Sequence, residues 1–409
     1  MNLLQNKISQ IQWQTILLIL IGIFFLCFGL PSLYKRISWC DGYALGDWLI
    51  NYEDGGFKRR GLSGSLFISL SRISGIYIGK LVFFFISALY VLFITLFVSY
   101  FRRVKFDFWL LLFTFLPTVL LFPLNDLYAF GRKEILLFNL FLFFIISYKK
   151  IDVYSWKYIG LLSSILFLIT LVHELVVFYI PYILLIYLKD FFINRRGSFS
   201  KIIVIGLSTF IPALLIFLIG AEINEGQSWP MFKKLGVSSN VMNGIFSWPK
   251  EGFGIGQVNA LTFAFKNKYH LYILSYLITF SIFALMVTKN RFLKFDIKTK
   301  LGIHFLLIAV SLPIFFLTID WGRWLNIHFM SMLFITSLFY PEVERSRRFS
   351  YNEIKMYFSK ISNLIKAVLL LVLLFGFTMK HVDVGFEFGQ NGLLKQIRDL
   401  FWNLRHLNF

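Results

Sequence analysis

Long apolar stretches recur along the whole chain and are separated by shorter polar segments. A helix needs about 20 apolar residues to cross ~30 Å of hydrocarbon. We therefore expect an all-α integral membrane protein, a polytopic bundle forming one domain over residues 1–409. The pattern predicts about eleven spans, at 15–34, 81–100, 108–124, 135–148, 158–172, 175–188, 202–221, 269–288, 301–319, 324–340 and 363–379.

Two polar segments are long, 35–80 and 222–268. Within the first, two short helices are expected at the membrane surface, at about 42–52 and 62–75. The stretch from 61 to 79 is apolar but contains serines, glycines and Arg72. This mixture favours a helix that lies in the interface over one that crosses the bilayer.

Charge predicts the orientation of the chain. There are 41 Lys and Arg against 21 Asp and Glu, a net charge of +20. With a cytoplasmic N-terminus, just over half of the Lys and Arg but only a third of the acidic residues fall in cytoplasmic segments. The positive-inside rule then places 35–80, 222–268 and the C-terminus outside. Basic loops beside anionic lipid account for the excess charge, so nucleic-acid binding is not expected.

Composition narrows the chemistry further. The chain is 58% hydrophobic, and its two cysteines, Cys27 and Cys40, form neither a disulfide framework nor a CxxC metal motif. No GxGxxG-type loop for a nucleotide sugar is present. We expect no cofactor; a divalent metal is compatible with the acidic residues but not required.

The unusual polar residues fall in five places, all on the predicted outer side. Ionisable groups at membrane depth cost roughly 2.5–3.5 kcal/mol each on insertion scales, so they usually pair or line a wet cavity. We expect the five groups to meet in one outward-facing site. They are Asp41, Asp47, Glu53 and Asp54 with Lys58, Arg59 and Arg60; Asp126, Arg132, Lys133 and Glu134; His173 and Glu174; the segment 222–268; and Asp320 with Arg323.

For the remaining histidines the sequence gives weaker indications of a functional role. His304 stands alone in the ninth predicted span, where a packed or hydrogen-bonded helix residue is expected. For His270, His328, His381 and His406 the sequence indicates no partner.

Arginine and lysine beside carboxylates suit a ligand that carries phosphate. Guanidinium binds phosphate oxygens in a fork, and lysine adds a point charge. A carboxylate or a histidine can then take a proton from an acceptor hydroxyl while the cations stabilise a leaving phosphate. The inventory therefore favours group transfer from a lipid phosphate or diphosphate, and sugar is the commonest such group.

The chain begins with a first span, a long acidic outer loop with two surface helices, and then a second span. This arrangement resembles that of the GT-C class of polyprenyl-dependent glycosyltransferases. In that class the first outer loop holds a catalytic carboxylate, for which Asp41, Asp47 and Asp54 are the matching positions. Chain size, the Phe-, Ile- and Lys-rich composition and the short arginine-bearing outer loops are also similar to bacterial O-antigen or capsule repeat-unit polymerases. The resemblance is one of build over the whole chain and not of a specific motif.

The resemblance implies an enzyme of the bacterial inner membrane whose active site faces the periplasm. It would act on saccharide linked to undecaprenyl phosphate or diphosphate, polymerising O-antigen or capsular repeat units. Its partners would be the polyprenyl-linked saccharide, membrane lipid and other polysaccharide-assembly proteins. Two alternatives remain open: addition of a single sugar from a polyprenyl-phosphate donor, and transport or flipping of lipid-linked saccharides.

The implied site residues fall into two groups. Phosphate binding is assigned to Arg59, Arg60, Asp126, Arg132, Lys133, Asp320 and Arg323. The candidates for the catalytic base are Asp41, Asp47, Asp54, His173 and Glu174.

Overall fold

The apolar segments fold into helices, as their length and composition require. The computed structural model describes residues 13–221, 225–243, 269–289, 297–317, 320–342, 363, 380–381 and 386–387. Within these ranges the helices are α1 Trp13–Phe24, α2 Leu30–Ser38, α3 Asp47–Leu49, α4 Gly61–Ser74, α5 Ile78–Phe101, α6 Phe108–Thr114, α7 Phe122–Asn125, α8 Glu134–Lys150, α9 Trp156–Val172, α10 Ile180–Phe192, α11 Phe199–Ile219, α12 Glu225–Lys234, α13 His270–Lys289, α14 Ile297–Leu317 and α15 Trp321–Ser337.

Shorter elements connect these helices. A π-helical turn, Phe25–Gly29, joins α1 to α2, and a second one, Gly42–Gly46, precedes α3. Three 3₁₀ turns lie at Leu127–Gly131, Glu174–Phe178 and Ser239–Met242. Two short strands, β1 Lys380–His381 and β2 Phe386–Glu387, pair antiparallel.

Several helices are long and apolar enough to cross a membrane. Five such segments occur in the described part of the chain: Thr15–Ser38, Ile78–Phe101, Glu174–Phe192, Phe199–Ile219 and His270–Thr288. Trp156–Val172 and Leu301–Phe316 are apolar but shorter. The chain is thus an all-α protein with the build of a multi-pass membrane protein. The predicted span 363–379 and the C-terminus lie outside the described residues.

The centre of the bundle is α15. From Gly322 to Ser337 every residue of this helix is buried, and it packs against α8, α10, α13 and α14. A helix that is covered on all sides needs apolar or hydrogen-bonded residues all round. The polar residues of α15 therefore need hydrogen-bond partners on the neighbouring elements.

The helices run back and forth between two ends of the bundle. At the Lys149 end, the Lys105 backbone N–H donates to the Pro341 carbonyl (2.8 Å) and Lys149 pairs with Glu342 (3.2 Å). At the Asp47 end, Arg36 Nη1 donates to the Tyr128 carbonyl (2.7 Å). Loops that the alternation of spans places on the same side therefore contact each other.

The third predicted span, 108–124, is not one continuous helix. Helix α6 ends at Thr114, and turns lead to the short helix α7. Pro117 and Pro123 each lack the N–H that a continuing helix would need. Asn326 of α15 satisfies the opened backbone, because its side-chain amide donates to the carbonyls of Thr118 (3.2 Å) and Val119 (2.6 Å). Broken helix at membrane depth is tolerated where protein buries it in this way.

The first long loop differs in part from the prediction. The expected surface helix at 42–52 is shorter, a π turn followed by α3, and it is buried rather than at the surface. Trp48 is the cause, because its fully buried ring inserts into the bundle and its Nε1 donates to the Gly131 carbonyl (2.9 Å). The second helix, α4, forms as expected, with an exposed apolar row of Leu66, Leu70 and Ile73.

Serines at the two ends offer a matched test of orientation. Ser74 is exposed at the end of α4, and Ser200 is exposed near the start of α11. We expect Ser74→Cys to react with a membrane-impermeant maleimide in intact cells, because the positive-inside rule places it outside. Ser200→Cys should react only after permeabilisation. The reverse labelling pattern would invert the predicted topology.

Candidate functional site

Charged side chains from four distant parts of the sequence meet at the Asp47 end. We call this group the ion-pair cluster; its members are Asp47, Arg60, Lys133, Glu134, His173, Glu174, Asp320 and Arg323. These residues come from the first loop, the α7–α8 connection, the break between α9 and α10, and the start of α15. The expected convergence is therefore present for four of the five groups.

Arg60 forms the first half of the cluster. Its Nε and Nη2 donate to the two carboxylate oxygens of Glu174, both at 3.0 Å. Its Nη1 donates to Asp47 Oδ1 (2.9 Å). One guanidinium thus bridges two carboxylates from separate segments, in the fork geometry that favours arginine over lysine.

The backbone at Arg60 is held in the left-handed region, with φ 63°. Residues other than glycine rarely adopt this conformation, which costs of order 1–3 kcal/mol and persists only where the surroundings enforce it. Here Gly55 and Gly56, also at positive φ, turn the chain back towards the bundle. The turn aims Arg60 at Asp47 and Glu174.

Lys133 provides the second cation beside Asp47. Its Nζ lies 3.5 Å from Asp47 Oδ1 and donates to Ser63 Oγ at 3.3 Å. Burial lowers the pKa of Lys133 to about 8, although Asp47 opposes this shift. Burial alone would raise the pKa of Asp47, but Lys133 and Arg60 outweigh it and hold that pKa well below its usual range. Asp47 is therefore an ionised, weakly basic carboxylate.

Glu134 is the centre of the second half. Its Oε1 lies 3.2 Å from His173 Nε2 and 3.1 Å from Arg323 Nε. Arg323 Nη1 also pairs with Asp320 Oδ2 (3.0 Å), one turn earlier. His173 Nδ1 has no hydrogen-bond partner among the described residues. A carboxylate that holds one imidazole nitrogen leaves the other free to exchange a proton.

The two halves adjoin through sequence neighbours. Lys133 precedes Glu134, and His173 precedes Glu174. His173 interrupts the helical run with an extended backbone, φ −153°, so its ring faces Glu134 while Glu174 faces Arg60. The two-residue break in the apolar stretch is what places both side chains in the cluster.

Three predicted site residues have other partners. Asp41 pairs with Arg36 (3.0 Å) and accepts from the backbone N–H groups of Tyr43 (2.7 Å) and Ala44 (2.8 Å), so it caps the following turn. Asp126 likewise accepts from the Tyr128 N–H (3.0 Å).

Asp54 is the third. It is buried, and the Lys58 ammonium and the Ser228 hydroxyl both donate to it. This contact attaches α12 to the first loop, and it is the described contribution of the segment 222–268 to this region. Asp54 therefore anchors a loop and does not belong to the ion-pair cluster.

Two predicted arginines lie at the edge of the cluster. Arg59 is exposed and is close enough to Glu174 to interact with it electrostatically, yet it forms no ion pair within the described ranges. Arg132 lies over the Tyr43 ring, 5.2 Å from its centroid, and acts electrostatically on Glu134. Arg59 is thus an accessible cation beside the cluster, whereas Arg60, Lys133 and Arg323 are buried and paired.

Glu134 was given no separate role from the sequence, although it pairs with both His173 and Arg323. Its position directly after Arg132 and Lys133, at the first residue of an apolar helix, was the available signal. No group of three or more His, Cys, Asp or Glu suited to a metal ion occurs in the part of the chain that the structure describes.

No family model, curated protein or solved structure matches the chain. Function therefore has to be inferred from the geometry and charge of the ion-pair cluster.

Replacing Arg60 tests the energetic importance of the cluster. Arg60→Ala leaves the buried Asp47 and the half-buried Glu174 without their shared cation, so we expect a loss of about 3–5 kcal/mol in the free energy of unfolding. Reversible unfolding in mixed micelles measures this loss.

Arg72→Ala is the matched control. Arg72 pairs with Glu53 (2.6 Å), but its side chain is 53% exposed. An exposed pair contributes little, so the change should stay below about 1 kcal/mol. Equal losses in the two variants would show that burial of the cluster is not what makes Arg60 important.

Proposed function

We propose that the chain is a membrane glycosyltransferase that transfers saccharide from a polyprenyl phosphate or diphosphate carrier at the outer leaflet. The observation that carries the proposal is the convergence of Arg60, Lys133, His173 and Arg323 with four carboxylates beside an exposed cation, Arg59. A site of this kind offers both phosphate recognition and proton transfer.

The existing ion pairs leave the phosphate-binding role chiefly to Arg59. Arg60 and Lys133 already pair with Asp47 and Glu174, and Arg323 pairs with Glu134 and Asp320. An incoming phosphate would compete with carboxylates for those cations. Arg59 forms no ion pair within the described residues, and its guanidinium can bind two phosphate oxygens at once.

His173 is the better candidate for the base. Asp47 and Glu174 are held by cations, which makes each of them a poor proton acceptor. His173 has one nitrogen on Glu134 and the other unpartnered within the described residues. That second nitrogen can accept the proton of an acceptor hydroxyl.

The transfer step then follows. The oxygen of an acceptor hydroxyl attacks the anomeric carbon of the carrier-linked sugar, and His173 Nδ1 takes the hydroxyl proton. The bond from the anomeric carbon to the phosphate oxygen breaks, and its electron pair leaves with the phosphate. Arg59 stabilises the negative charge that develops there.

Repeat-unit polymerisation is the form of this reaction that we favour, with a single-sugar transfer as the alternative. The two arginines at the edge of the cluster, Arg59 and Arg132, suit a diphosphate better than a monophosphate. Transport of lipid-linked saccharide is a second candidate, favoured by the buried pair His304 and His328 deep in the bundle, because transporters place protonatable groups inside the membrane.

Expression in a strain whose polysaccharide locus lacks its polymerase separates these functions. Polymerisation should convert single lipid-linked repeat units into a ladder of long chains. An unchanged ladder with an altered serotype would identify a single-sugar transferase, and carrier translocation without either change would identify a transporter. Wild-type protein present in the membrane without any of these effects would contradict all three proposals.

Arg59→Ala should abolish the ladder without destabilising the protein, because Arg59 forms no ion pair within the described residues. Arg72→Ala, which removes an exposed arginine of the same loop, should leave the ladder intact. Gel analysis of the polysaccharide and the melting temperature in nanodiscs are the two measurements. Full activity of Arg59→Ala would remove Arg59 from the proposed site.

Lys133 predicts a pH dependence of carrier binding. Its pKa near 8 means that raising the pH from 7 to 9 removes one positive charge from the cluster. Affinity for farnesyl diphosphate should fall over this window, whereas the second ionisation of a phosphate, near ~6, is already complete. Isothermal titration in nanodiscs measures the affinity.

Lys133→Met lacks the charge at every pH and is the control for this measurement. It should show the lower affinity of the wild type at pH 9 throughout, with no dependence on pH. Wild-type affinity that stays constant between pH 7 and 9 would contradict the assignment.

A further inference from the structure

A row of buried tyrosines and histidines extends from the ion-pair cluster into the bundle. We call it the tyrosine–histidine row; its members are Tyr179, Tyr182, Tyr276, His304 and His328. The row involves the start of α10 and helices α13, α14 and α15. Tyr179, Tyr182, His304 and His328 are each 3% exposed or less.

Consecutive members of the row are in contact or close to it. The rings of Tyr179 and Tyr182 lie 6.0 Å apart, and the Tyr182 hydroxyl is hydrogen-bonded to His328 Nδ1. The rings of His328 and His304 lie 4.7 Å apart. The Tyr276 hydroxyl lies 2.9 Å from His304 Nε2.

The row adjoins the ion-pair cluster at Tyr179. Tyr179 directly follows the 3₁₀ turn Glu174–Phe178, which begins in the cluster, and α15 carries both Arg323 of the cluster and His328 of the row. The titratable groups that face the histidines are two tyrosines and the histidines themselves. Tyr182 of α10 faces His328, and Tyr276 of α13 faces His304. His304 of α14 and His328 of α15 also face each other. The row is thus a sequence of neutral protonatable groups with a charged group at one end.

Several polar atoms along the row lack a partner. His328 Nε2, His304 Nδ1, the Tyr179 hydroxyl and Ser331 Oγ are buried and have no hydrogen-bond partner among the described residues. Buried polar atoms of this kind are commonly joined by internal water.

We propose that the tyrosine–histidine row is a proton path between the ion-pair cluster and the interior of the bundle. Each imidazole takes a proton on one nitrogen and releases the proton of the other, so the ring changes tautomer and stays neutral. Each tyrosine hydroxyl accepts one proton and donates its own to the next group. Internal water spans the gaps between the hydrogen-bonded pairs. Such relays are an established use of histidine inside membranes.

Exchange of the histidine ring protons tests the path without any assay of activity, so its outcome is independent of the proposed function. The full chain, labelled with [¹⁵N]histidine, is placed in nanodiscs and transferred to D₂O, and the ring N–H signals are followed by solid-state NMR. His304→Gln and His328→Gln assign the two signals. In the wild type we expect exchange within minutes despite complete burial.

Tyr179→Phe removes the link to the ion-pair cluster and keeps the ring. It should slow exchange at His328 about tenfold or more, because the proton must then bypass a missing hydroxyl. Tyr158→Phe, a buried tyrosine of α9 stacked on Phe143, is the matched control and should exchange like the wild type. If Tyr179→Phe does not fold, Tyr182→Phe serves the same purpose. Wild-type ring protons that persist for a day, or equal rates in Tyr179→Phe and the wild type, would overturn the proposal.

Discussion

The Asp47 end of the molecule depends on the burial of Arg60 between two carboxylates. Asp47 and Glu174 belong to segments more than a hundred residues apart, and Arg60 donates hydrogen bonds to both, which offsets part of the cost of burying their charge. Because the guanidinium must reach both, the first loop has to fold back over the helices. The left-handed backbone at Arg60 and the glycines before it are the local consequence of that requirement.

Under the proposed function, the pairing of the buried charges limits which residues can bind a phosphate or accept a proton. Arg60, Lys133 and Arg323 hold the framework of the cluster and are poorly placed to bind a new anion. Arg59 directly precedes Arg60 in sequence, but it is exposed and forms no ion pair within the described residues. His173 differs from the carboxylates in the same way, because one of its nitrogens is not used by the framework within the described residues. Under the proposed function, structural and reactive roles therefore fall on adjacent residues.

The sequence predicted the convergence because charged groups are costly near hydrocarbon and must find each other. It could not distinguish Asp47 from Asp41 and Asp54, since all three are acidic residues of one loop. Their roles depend on which neighbours fold against them: Arg36 and backbone N–H groups for Asp41, Lys58 and Ser228 for Asp54.

Helices were predictable where apolar runs are long, but the break in 108–124 was not predicted. Pro117 and Pro123 lie in this segment, but the partner that makes the break tolerable, Asn326, lies some two hundred residues away. His304, expected to be hydrogen-bonded, bonds to Tyr276, whereas the partner of His328 could not be found before the helices were packed.

We propose that the ion-pair cluster and its exposed neighbour Arg59 receive a polyprenyl diphosphate. A cryo-EM structure of the full chain in nanodiscs with undecaprenyl diphosphate would show where the carrier binds. We expect diphosphate oxygens within hydrogen-bond distance of Arg59, with the Arg60 contacts to Asp47 and Glu174 unchanged. A carrier bound away from the Asp47 end, with Arg59 still facing solvent, would contradict it.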